Sequence, residues 1–188
     1  GREATSQATS AEYFVAVGGY AMGIGVTTGD HNVCVGYGAG KNLTSGANNL
    51  AIGYQALTTN TIGNRNLAIG YGTMDDTDAD ADSYGSVSNT FIGKDAGLSN
   101  LTGTLNTFIG EYSGRLTTDS KNTFLGQQSG NAITTGEGNT VIGRYGGNGD
   151  GLDIRTSDNN IVLSNGAGLP KGYFASAANQ WFFLHSGL

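Results

Sequence analysis

Asn106-Thr107-Phe108-Ile109-Gly110 decides how this chain folds, because the pattern returns. Asn32-Val33-Cys34-Val35-Gly36, Asn49-Leu50-Ala51-Ile52-Gly53, Asn66-Leu67-Ala68-Ile69-Gly70 and Asn89-Thr90-Phe91-Ile92-Gly93 precede it. Asn122-Thr123-Phe124-Leu125-Gly126, Asn139-Thr140-Val141-Ile142-Gly143 and Asn160-Ile161-Val162-Leu163-Ser164 follow. The last positions of these copies step by 17, 17, 23, 17, 16, 17 and 21 residues. A recurrence of this length marks a repeat architecture in which each unit packs on its neighbours.

Each unit has the same parts. Asn leads, three strand-favouring residues follow, and Gly turns the chain. The third residue past that Gly is small (Ala39, Ala56, Thr73, Ala96, Ser113, Ser129, Gly146), and a polar run of Thr, Ser, Asn and Gly leads to the next Asn. No unit has helical periodicity, and frequent Gly penalises a helix. The expectation is an all-β solenoid of about eight to nine coils stacked at roughly 4.8 Å. Phe14-Val15-Ala16-Val17-Gly18, which lacks the Asn, is a degenerate first copy. The division is a linker over 1–11, the repeat solenoid over 12–168, and a C-terminal β cap or tip over 169–188.

The column Asn32, Asn49, Asn66, Asn89, Asn106, Asn122, Asn139 and Asn160 is expected to be a structural ladder, since stacked amides bond to one another and to nearby backbone. The large aliphatic fourth slot is expected to line the inside of the coil. The third slot, Phe91, Phe108 and Phe124 in three successive coils, is then expected to face outward and be covered by further copies. One 17-residue coil holds only three or four large apolar side chains, less burial than its backbone entropy demands, so a symmetric homo-oligomer is expected.

Composition narrows function. Gly is 33 of 188 residues and Pro only one, which fits many tight turns and excludes collagen. A net charge of −6 argues against nucleic acid as partner. No stretch approaches 18 consecutive apolar residues, so membrane insertion is not expected. The chain opens on Gly1 rather than Met and reads as a segment of a longer protein. Cys34, the one cysteine, occupies a slot held by Ala51 and Ala68 and reads as a small buried thiol.

Asn49-Leu50-Ala51-Ile52-Gly53-Tyr54-Gln55-Ala56-Leu57 and Asn66-Leu67-Ala68-Ile69-Gly70-Tyr71 resemble the Asn-x-Ala-Ile-Gly-x-x-Ala repeats of bacteriophage tail fibres, and also the head of YadA-like trimeric autotransporter adhesins. The segment from Ser157 to Gly168, followed by Gly172-Tyr173-Phe174, is similar to the one that ends such repeats in phage fibres carrying a C-terminal endosialidase-type intramolecular chaperone. The resemblance spans residues 32 to about 183. It implies a homotrimeric, left-handed β-roll-like fibre of the virion that attaches to a glycan or protein receptor on the host surface, assembled with the help of that chaperone. The alternative is a bacterial cell-surface adhesin head that binds host matrix or glycans.

The sequence offers little chemistry. His31 and His185 lie at opposite ends, and no nucleophile pair, metal-ligand pair or phosphate loop is present, so no catalytic residue is expected. Asp95 and Glu111 fall on adjacent coils, but Lys94 shares the column of Glu111 and predicts a cross-coil ion pair instead. Asp76, Asp78, Asp80 and Asp82 alternate carboxylates as a Ca²⁺ loop does, without its Gly or closing Glu. A solvated loop and a Ca²⁺ site both stay open there, with Ca²⁺ the sole candidate cofactor. Tyr37, Tyr54 and Tyr71 follow the Gly on three successive coils, either as a structural ladder or as a platform for sugar rings. Tyr173, Trp181 and Phe183 belong to the densest aromatic cluster, either a cap or clasp between copies or a receptor-contacting tip.

Overall fold

A computed structural model describes residues 10–23, 27–75, 87–100, 102–175 and 177–183. Its described residues contain strands and turns but no helix. Eight three-residue strands form one parallel ladder: β1 (Val15–Val17), β2 (Val33–Val35), β3 (Leu50–Ile52), β4 (Leu67–Ile69), β5 (Thr90–Ile92), β6 (Thr107–Ile109), β7 (Thr123–Leu125) and β8 (Thr140–Ile142). Each pairs with the next, slot on slot, so Phe91, Phe108 and Phe124 lie above one another. One repeat is one coil of a β-solenoid with about eight turns. The degenerate first copy joins this ladder as β1.

The coil is inside out relative to the sequence expectation. The third slot points in: Cys34, Ala51, Ala68, Phe91, Phe108, Phe124, Val141 and Val162 are fully buried. The fourth slot points out, with Leu125 and Ile142 near 45% exposed. Alternation along a strand makes the two slots opposite but leaves open which is inside. The buried residue six positions downstream settles it. Where the third slot is Ala51 or Ala68, Leu57 or Met74 fills the coil; where it is Phe91, Phe108 or Phe124, the partner is Gly97, Gly114 or Gly130. Large opposes small in each of these five coils, the condition for close packing. In the β2 coil, where Cys34 faces Gly40, the volume comes from Leu43. A Cβ added at Gly114 would lie 2.4 Å from the Phe108 ring. That position has left-handed backbone throughout (Gly114 φ 58°, Leu57 φ 57°, Met74 φ 57°). Leu57 and Met74 accept a conformational cost of about 1–2 kcal/mol there, offset by the apolar surface they bury.

Two further columns hold the coils in register. The Asn side chains sit inside, and each Oδ1 accepts from the backbone N–H of the next Asn, from Asn49 onto Asn32 (2.9 Å) through Asn122 onto Asn106 (2.8 Å) to Asn160 onto Asn139 (2.8 Å). Several amides also donate to the carbonyl of a neighbouring turn, as Asn89 Nδ2 does to Gly103 O (2.9 Å). These bonds pair most of the ladder's buried amide groups. The exception is Asn122 Nδ2, which is buried with no acceptor among the described residues. The corner glycines stack backbone on backbone: Gly110 has φ 134°, and a Cβ there would lie 2.4 Å from Gly126 O. No other residue fits both that angle and that approach.

The 21-residue step builds a small hairpin, β9 (Asn148–Gly149) with β10 (Leu152–Asp153), anchored by buried Tyr145, whose hydroxyl donates to Leu152 O. After the last copy, β11 (Ile161–Ser164), the chain reverses. β12 (Pro170–Ala175) and β13 (Gln180–Phe183) add antiparallel strands to the same sheet, making eleven in all.

Candidate binding surfaces

The outward slots of successive strands align into one continuous face. Its fourth-slot column runs Val17, Val35, Ile52, Ile69, Ile92, Ile109, Leu125, Ile142 and Leu163. Register carries both outward columns into the antiparallel strands: Ile161 pairs with Phe174 and Phe174 with Trp181, while Leu163 pairs with Gly172 and Gly172 with Phe183. Phe183 lies over the bare Gly172 and stacks against Trp181 with centroids 6.3 Å apart. Trp181 and Phe183 therefore belong to the outward sheet face and are 47% and 75% exposed. Tyr173 is on the other face, packed against the core and stacked on Phe182 at 4.9 Å. The three aromatic candidates of the C-terminal segment are thus split between two faces.

Tyr37, Tyr54 and Tyr71 form a column at the strand ends. Their centroids are 5.5 and 5.0 Å apart and the rings are within 10° of parallel. Each ring face is occupied by its neighbour, except at the ends, where Tyr20 meets Tyr37 edge-on. What the column offers outward is edges and hydroxyls rather than the open faces a sugar ring stacks on.

At the opposite ends of the same three strands lies a groove of about 580 Å³. Its lining includes Val33, Leu50 and Leu67 from the outward second slot, with His31, Asn48 and Arg65 beside them. These last three each precede a ladder Asn and have left-handed backbone (φ 60°, 60° and 58°), which turns them out of the coil.

The charged candidates pair differently from expectation. Lys94 Nζ donates to Tyr112 Oη (2.8 Å), and Glu111 accepts from Gln127 Nε2 (3.1 Å), so the Lys94–Glu111 ion pair does not form. Lys94 has its own neighbour's hydroxyl within easier reach. Among the described residues the ion pairs are Lys121–Glu137 (2.5 Å) and Arg155–Asp153 (2.7 Å). Asp76, Asp78, Asp80 and Asp82 lie outside the described residues, which hold no group of three or more metal-ligating side chains. Burial pushes the Cys34 thiol from its ordinary value of 9.0 up to about 12, which suits a packing residue rather than a nucleophile.

The outward groove was missed in the sequence because it depends on which slot faces out. The signal was there: Ala51 with Leu57 against Phe108 with Gly114 is an exchange of volume that only a shared interior explains. Comparison with protein-family models, curated proteins and solved structures gives no match.

Proposed function

We propose that this chain is a structural and host-attachment segment of a homotrimeric bacteriophage tail fibre. The observation that supports it most is the eleven-strand sheet face, lined along its length by Val, Ile and Leu and ending in Phe174, Trp181 and Phe183. A contiguous apolar face of this length on a rod calls for a partner of the same length and period. A second copy of the chain is such a partner. The likeness of the Asn49 and Asn66 units to tail-fibre repeats supplies the number three and the virion setting. In this reading the antiparallel strands β12 and β13 are the C-terminal cap, and Trp181 and Phe183 clasp the copies together. Receptor contact falls to the sides away from the sheet, on the polar turns and the β9–β10 hairpin.

Light scattering on the purified chain tests assembly: a mass of three chains is expected, and a stable folded monomer overturns the reading. Labelled protein should bind the surface of host bacteria and be displaced by their extracted surface glycan or protein. Release of new reducing ends from that glycan would point to an enzyme instead.

A further inference from the structure

The groove and the tyrosine column are coextensive. The groove is built on β2, β3 and β4, and the tyrosines follow those same strands. Both features change at the next coil. Beyond β4 the second slot becomes Thr90, Thr107, Thr123 and Thr140, and the residue after Gly becomes Lys94, Glu111, Gln127 and Arg144. Those later edges are knitted within the chain by Lys94 to Tyr112, Gln127 to Glu111 and Arg144 to Gln128. Among the described residues, Tyr37, Tyr54 and Tyr71 have no hydrogen-bond partner for their hydroxyls, and the Arg65 guanidinium makes no ion pair.

The two features cannot meet within one copy, because a five-residue run from Asn to Gly, roughly 16 Å when extended, separates them. They can meet between copies standing side by side at equal height. We infer that the Tyr37–Tyr54–Tyr71 column of one copy seats in the His31–Asn48–Arg65 groove of the next; this rests on the homo-oligomeric reading above. The chemistry fits on every level. Val33, Leu50 and Leu67 floor the groove for the aromatic edges. Arg65 offers its guanidinium N–H groups to the Tyr71 hydroxyl. Asn48 offers hydrogen-bonding groups to the Tyr54 hydroxyl, and His31, already stacked on Tyr13 at 5.2 Å, meets Tyr37. Continued upward in the same register, the pairs are Ser88 with Lys94, Leu105 with Glu111, Lys121 with Gln127 and Gly138 with Arg144. No two like charges oppose each other. Such an edge-to-edge contact is heterologous; with no displacement along the axis, a rotation of one third of a turn from copy to copy closes it into a ring of three. Closure turns every copy's Ile52 and Ile69 columns toward the common axis.

Tyr54 replaced by p-benzoylphenylalanine in the whole chain, with Tyr71 replaced likewise in a second variant, tests the contact by irradiation. Expected are covalent dimers and trimers on a denaturing gel. Peptide mapping should place the bonds in the segments His31–Val33, Asn48–Leu50 or Arg65–Leu67. Light scattering on the unmodified protein separates the two ways to fail. A monomer overturns this inference together with the oligomeric reading. An oligomer whose photoproducts from both variants map elsewhere, or do not form, overturns this inference alone.

Discussion

The lower coils, β2 to β4, and the upper coils, β5 to β7, solve one packing problem in opposite ways. Below, a small third slot (Cys34, Ala51, Ala68) is matched with larger residues from the rest of the coil, Leu43, Leu57 and Met74. Above, phenylalanines stacked at 4.6 and 4.8 Å fill the coil alone, and glycine yields the space. Outside, the order reverses: Leu50 and Leu67 with a tyrosine edge below, threonines with a charged edge above. The frame of Asn and Gly is common to both. Identity is thus demanded column by column in the frame, and only coil by coil in the filling.

The strongest way to break this comparison is Phe108→Ala, which should destabilise by about 3–5 kcal/mol through the cavity it leaves. Adding Gly114→Leu should restore much of that loss, because the pair then copies Ala51 with Leu57; Gly114→Leu alone should be destabilising. A double-mutant cycle from urea unfolding reads the coupling. Purely additive losses would mean the two positions do not share a volume.

Next in size is the frame itself. Asn106→Ala removes the acceptor for Asn122 N–H (2.8 Å) and the donor to Asp119 O (2.8 Å). Leaving buried groups unpaired should cost about 1–3 kcal/mol. Asn49→Ala should cost a similar amount, since this column does not distinguish lower from upper coils.

Cys34 gives a smaller, pH-dependent contrast. Its folded pKa, about 12, lies above its ordinary 9.0. Its contribution is therefore full below pH 9 and falls as pH rises toward 12, because the unfolded chain ionises first. Between pH 8 and 10 the wild type should lose about 1 kcal/mol more than Cys34→Ala, measured by urea unfolding at both values. The smallest effect is Lys94→Ala, on the exposed upper edge, which should leave the urea midpoint unchanged within error.

Much of this was legible beforehand. The spacing from Gly36 to Gly143 predicts parallel stacked strands, and the structure has them in slot-on-slot register. The side of the strand that faces in was not legible from hydrophobicity, because Ile109 and Phe108 are both apolar. Reading Phe108 alone suggests a covered outer face; reading it with Gly114 places it inside. The Tyr37 column was visible in the sequence, but its groove was not. Val33, Leu50 and Leu67 become a floor only once their slot is known to face out, and His31, Asn48 and Arg65 become a wall only through left-handed backbone.

The compensating pairs lie within a coil, and the frame contacts lie between coils. A gene that lost residues 50–66 would lose Ala51 and Leu57 together and join Asn49 to Leu67, with Asn49 next in line to Asn89. Every remaining pair would still be whole, and every Asn and Gly would still find its like. The rod therefore changes length in steps of one coil, roughly 4.8 Å, by deletion or duplication of a single unit. It is a ruler whose divisions can be removed without recutting the rest.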